Sequence, residues 1–200
     1  MSGGTPTPGT RERIIRSTAE LFRHRGYNAT GMKQIVTEAN APFGSLYHFF
    51  PGGKEQLGAE VIRTSGALYM ELFAGIAAQA PDVPCAVADF FDGAAQTLLE
   101  TDFADACPIA TVALEVASTS EPLRLATADV FASWIDGAAA LLASAGIEAE
   151  RSRALAFSML CLLEGAFIFS RAARSVEPLE HARDAALALI LAAMAPAQRS

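Results

Sequence analysis

Between Thr30 and Leu57 the chain reads TGMKQIVTEANAPFGSLYHFFPGGKEQL, and its apolar positions fall into two short sets separated by a reversal. With Met32 opening a helix, Ile35, Val36 and Ala39 share one face; Leu46 and Phe49 do the same for a second helix. Asn40 stands where the chain must turn, and asparagine enters the left-handed backbone region at modest cost. Pro42, which has no N–H to lose, suits the first position of the second helix. Two short crossed helices are either an ordinary helical hairpin or a helix-turn-helix, and spacing alone leaves both open.

The residues after the turn favour the second reading. Pro42, Phe43, Gly44, Ser45, Tyr47 and His48 occupy the first turns of the second helix, the part of a recognition helix that meets base edges. Gly44 allows close backbone approach, and Ser45, Tyr47 and His48 carry hydrogen-bond donors. Tyr47 is expected outside and Phe50 in the core. Thr30 is expected to cap the preceding helix, so that Thr30, Gly31 and Lys33 lie near a phosphate. Lys54, after the Gly52-Gly53 pair, is a second candidate phosphate contact.

The stretches RERIIRSTAELFRHRGYNATGMKQI and EANAPFGSLYHFFPGGKEQL resemble the DNA-binding domain of the TetR family of bacterial transcriptional regulators, over Thr10 to about Ile62. Three departures from the common pattern are visible. Asn40 replaces a glycine, Phe43 replaces a basic or polar residue, and Gly52-Gly53 lengthens a loop by one. Phe43 suits a thymine methyl or sugar atoms better than a base edge.

Charge divides the chain. Residues 1–58 hold seven Arg or Lys against four Glu, a balance of +3, which leaves -10 for the remainder of a chain whose total is -7. Local positive charge neutralises phosphates while the acidic remainder limits non-specific binding. A hydrophobic share of 52% with 18% charged residues exceeds what one small domain needs and points to a subunit interface. MSGGTPTPG, residues 1–9, has no signal-peptide pattern and is expected to be a disordered tail. No segment is expected to span a bilayer, since Glu164 interrupts Ala154–Ser170 and Ala185–Ala197 is short; a cytoplasmic protein without membrane contact follows. Cys85, Cys107 and Cys161 lack partners at ligand spacing, so neither disulfides, a metal site nor a cofactor is expected.

Helical periodicity runs through the rest, predicting an all-α protein of about nine helices: a helix-turn-helix domain over 10–56, then an effector-binding and dimerisation domain over 57–200. The first helix spans about Thr10–Arg25, burying Ile15, Ala19 and Phe22 and stopping at Gly26. Leu57, Val61, Leu68, Leu72 and Ile76 mark a helix from Lys54 to about Ala80, roughly 40 Å long at 1.5 Å per residue. Others are expected at about Pro84–Thr101, Ile109–Thr119, Pro122–Ala145, Ala149–Ala173 and Pro178–Ala195, with Ser120 capping one and Gly146 ending it. The last two are apolar on more than one face through Leu155, Met159, Leu162, Leu163, Ala166, Phe167 and Phe169, and Leu179, Ala182, Ala186, Leu187, Leu189, Ile190 and Met194. They are the expected homodimer interface, with Gly165 permitting close approach.

Phe90, Phe91, Phe103, Phe131 and Trp134, with Cys107, Met159 and Phe167, either line a cavity for a flat hydrophobic effector or fill a core. Glu115 and Glu164 stand among apolar neighbours, so each either finds a partner such as Arg171 or forms a polar spot in a pocket. DFADACPIATVALEVAS resembles the LmrA/YxaF-like branch of the TetR family, which implies a repressor released by a small hydrophobic effector. Cys107 is a redox sensor or, on the reading favoured by Pro108, a structural corner. His24, His48 and His181 belong to no nucleophile–base set, so an enzyme or carrier is disfavoured. An activator or architectural protein on double-stranded DNA, without effector, is the remaining alternative.

Overall fold

The computed structural model describes residues 9–105 and 107–195, so the expected tail lies outside the described residues apart from Gly9. Nine α-helices and no strands occur among the described residues: α1 Thr10–Arg25, α2 Met32–Glu38, α3 Phe43–Phe49, α4 Gly53–Gln79, α5 Val83–Glu100, α6 Pro108–Val116, α7 Glu121–Ser144, α8 Ala149–Ala173 and α9 Glu177–Met194. The all-α expectation holds, with ends displaced by one to three residues where it differs. Helix ends follow local chemistry. Gly26 closes α1 at φ 75° and ψ 178°, a region that side chains avoid. Ser120 Oγ accepts from Leu123 N at 3.3 Å to start α7, and the Asp82 and Glu148 carboxylates cap α5 and α8.

Two compact units form, Met1–Ser65 with Pro108–Ala128, and Gly66–Cys107 with Asp129–Ser200. This division differs from a boundary after residue 56, because 57–65, α6 and the start of α7 pack with the helix-turn-helix. In the first unit α1 packs on α2, α3 and α6. Its core includes Ile14, Phe22, Ile35, Leu46, Phe50 and Leu57. The expected buried face of α1 is corrected by one residue: Ile14, Ser17, Thr18, Leu21 and Phe22 face inward, and Ile15 and Ala19 are half-buried. Thr18 tolerates burial because its hydroxyl donates to Ile14 O at 2.7 Å.

In the second unit α9 packs on both α5 and α8. Phe91, Leu98, Leu155, Met159, Leu163 and Ile190 belong to one core. The stripe on α4 is also corrected. Phe73 is buried while Leu68 and Leu72 are 60% and 55% exposed, because the inward face passes through Ser65 and Gly66. Residue 66 must be small: a Cβ there would lie 2.5 Å from Val130. By length and composition α7 and α8 could each cross a membrane, which corrects the expectation that no segment could. Both contribute residues to the protein core, Ile135 and Leu142 from α7 among them.

Candidate nucleic-acid interface

The turn before α3 is held by its own backbone and by a side chain of α1. Asn40 adopts φ 44°, the left-handed turn its position called for. Ala41 N donates to Val36 O at 2.9 Å and Asn40 N to Thr37 O at 3.1 Å, closing α2. From α1, Arg13 Nε donates to Ala39 O at 3.1 Å and Arg13 Nη2 to Asn40 O at 3.3 Å, holding the turn's carbonyls. No local sequence pattern links Arg13 to these partners, which lie 26 and 27 positions away. Pro42 is the residue before α3 (φ -60°, ψ 141°) and not its first helical residue, a correction of one position.

Leu46 and Phe50 anchor α3 from below with no exposure, so Phe43, Gly44, Tyr47 and His48 are left outside. Phe43 and Tyr47 are 44% and 49% exposed and meet edge to face at 5.6 Å. A Cβ on Gly44 would meet nothing within 4 Å. Ser45 and Phe49 are half-buried, Phe49 resting on Phe50 at 6.5 Å. The expected split between Tyr47 outside and Phe50 inside therefore holds.

On the neighbouring helix Gly31 is the cap position and Lys33 is exposed. Thr30 does not cap α2. Its side chain is buried and its hydroxyl donates to Gly26 O at 2.8 Å, because that carbonyl lies within reach behind the turn. Lys54 is also placed differently from the expectation, with Nζ 4.2 Å from the centre of the Tyr27 ring. Burial there holds its ammonium below the ordinary lysine value, against the opposing charge of Glu115.

Glu115 belongs to this unit. Its Oε2 accepts from Asn28 N at 2.7 Å, and a Cβ on Gly26 would fall 1.7 Å from Oε1, so glycine makes room for the carboxylate. Ser120 Oγ donates to Glu55 Oε1 at 2.6 Å nearby. These two ties join α6 and α7 to the reading head.

The other expected ligand residues divide in the second unit. Phe91 and Met159 are buried in its core, with Phe90, Phe103 and Phe167 partly buried against it. Phe131 and Trp134 instead form a group with Tyr69, at 5.8 and 6.0 Å from the indole, whose Nε1 donates to Gly66 O at 2.9 Å. The Cys107 thiol donates to Glu164. Arg171 partners neither glutamate; its Nε donates to Phe103 O at 3.2 Å.

Residues 14–61 match the family described as bacterial regulatory proteins, tetR family, and residues 85–185 match the transcriptional regulator LmrA/YxaF-like C-terminal domain. The chain is 35% identical over 170 residues to the HTH-type transcriptional regulator YxaF of Bacillus subtilis, covering 85% of this chain and 89% of that one. The chain belongs to the TetR family. LmrA of B. subtilis, another HTH-type transcriptional regulator, is 30% identical over 172 residues, 86% of this chain and 92% of its own. The TetR fold is shared with a TetR regulator of Legionella pneumophila, at TM-score 0.81 and 24% identity over 91% of this chain and 97% of that one. Escherichia coli NemR in its reduced form gives TM-score 0.74 at 22% identity, over 88% and 94%. A TetR-family member is a DNA-binding transcriptional regulator and not an enzyme.

Proposed function

We propose that the protein is a homodimeric repressor of the cytoplasm that binds a palindromic operator and leaves it when a small hydrophobic effector occupies the C-terminal unit. The observation that carries this reading is the outward set of Phe43, Gly44, Tyr47 and His48 above a fully buried Leu46 and Phe50. Such a helix offers aromatic and donor groups to base edges while its backing stays rigid. Ser45, Gly31 and Lys33 extend the contact to the sugar-phosphate surface. Lys54 joins them by leaving Tyr27.

Dimerisation uses what α8 and α9 leave uncovered. Leu155, Met159, Leu163, Ala182, Ala186 and Ile190 face their own core, so the interface shifts to Phe157, Ile168 and Phe169 on α8 and Leu189, Leu191 and Met194 on α9, all exposed. A two-fold axis through these faces makes a four-helix bundle and sets two recognition helices about one DNA turn apart. Effector release works through differential affinity: the effector binds the released state more tightly, about 1.4 kcal/mol for each tenfold loss of operator occupancy. The helix α4, which contributes residues to both units, is the element that swings.

Duplexes selected from random DNA by the purified protein test the reading. A palindrome with half-sites one helical turn apart is the expected outcome, and at least one hydrophobic compound of a library dissociates the complex. Asymmetric sites would contradict the dimer, and a complex that no compound dissolves would favour a regulator without effector.

A further inference from the structure

The connection from α5 to α6 holds, after Thr101, two successive non-glycine residues in the left-handed region, Asp102 at φ 49° and Phe103 at φ 60°. That conformation persists only where partners hold it. Phe103 N donates to Leu98 O at 2.7 Å and Asp102 N to Leu99 O at 3.2 Å at the end of α5, and side chains of α8 and of Arg174, the residue after it, add further ties. Arg174 pairs with Asp102 and places its guanidinium 5.6 Å from the centre of the Phe103 ring. Arg171 Nε donates to Phe103 O at 3.2 Å, and the Cys107 thiol donates to Glu164. The ties step back from Arg174, just past the end of α8, through Arg171 to Glu164, the last two about 10 Å apart along the helix at 1.5 Å per residue. The outer two are exposed and ionic or carbonyl-directed; the innermost is buried.

That innermost tie leaves an account open. A thiol is a weak donor. Glu164 Oε1 is buried and has no hydrogen-bond partner among the described residues, with Leu163 and Phe167 beside it in sequence on an apolar helix. The charged and titratable groups on this connection and beside Glu164 on α8 are Asp102, Asp105, Cys107, Cys161 and Arg171, with Arg174 just past the helix, and both arginines are turned to Asp102 and Phe103. Burial pushes Glu164 up to about 7, the Cys107 bond opposing. An oxygen of this kind gains most from a cation brought by a ligand that also has apolar surface to bury.

We propose that Glu164 receives the ammonium group of an aromatic amine whose apolar body rests against Phe103, Met159 and Phe167. The inference rests on the effector reading above and names the class of effector. An ammonium keeps Glu164 ionised, so binding at pH 6, where a group titrating near 7 is about nine-tenths protonated, expels a proton.

Calorimetry of the full chain with 1-naphthylmethylamine, and with 1-naphthylmethanol as the neutral counterpart, tests this in two buffers of different ionisation enthalpy. The amine is expected to bind at least tenfold tighter than the alcohol, releasing about 0.9 proton at pH 6 and about 0.1 at pH 8. Glu164→Gln should erase the preference for the amine while keeping the alcohol's affinity, and Cys107→Ala should keep the preference. Equal affinities, absent proton release in the unaltered chain, or an amine preference that survives Glu164→Gln would each overturn the proposal. An amine that binds as expected but leaves operator DNA bound supports the site and counts against the effector reading alone.

Discussion

Glu115 on α6 and Glu164 on α8 stand in similar sequence surroundings, ATVALEVAS and LCLLEGAF, yet they resolve the same physical problem in opposite ways. Glu115 reaches across 87 residues to the Asn28 amide, and Gly26 yields it space. Glu164 finds a thiol, and burial raises its carboxyl to about 7. A carboxylate in an apolar helix is thus no single signal: one ties α6 to the loop after α1, the other keeps an oxygen without a hydrogen-bond partner among the described residues.

The largest effect that sharpens this contrast lies at Glu164. An acid at 4.5 in the unfolded chain and about 7 in the folded one binds more protons when folded, so stability is full below pH 4.5 and declines as pH rises to about 7. The loss is about 3 kcal/mol at one unit per 1.36 kcal/mol. Denaturant titrations of Glu164→Gln are expected to lack that decline and to exceed the unaltered chain at pH 8; parallel profiles would remove the contrast. Gly26→Ala comes next, with about 2–3 kcal/mol lost to backbone strain and to displacement of the Glu115 carboxylate. Smaller is Glu115→Ala, at about 1 kcal/mol for one exposed amide bond, read by faster hydrogen exchange at Asn28. Combined with Gly26→Ala it should cost less than the sum, because both changes remove one contact. Ser120→Ala completes the series at about 0.5–1 kcal/mol, through its cap and the Glu55 bond.

What the sequence made legible was local. Gly26, Asn40, Ser120 and Gly146 marked helix ends through backbone chemistry that needs only neighbours, and each stands at such an end in the structure. The outward Tyr47 and inward Phe50 followed from spacing within one short helix. Partners distant in sequence were not legible. Arg13 on the Ala39 and Asn40 carbonyls, Thr30 on Gly26 O, Glu115 on Asn28 and Arg171 on Phe103 depend on which helices meet, and periodicity does not encode that. The Ile14 face was missed because a buried Thr18 looks polar until its bond to Ile14 O is seen.

The reading head itself is tested most directly by fluorescence anisotropy of a labelled operator duplex, titrated with the unaltered chain and with Tyr47→Ala at low ionic strength. Saturable binding by the unaltered chain and a loss of about 100-fold in the variant, with the same mass by light scattering, is the expected result. Equal affinity of the two proteins, or no binding to any duplex by the unaltered chain, would contradict the placement of α3 in a DNA groove.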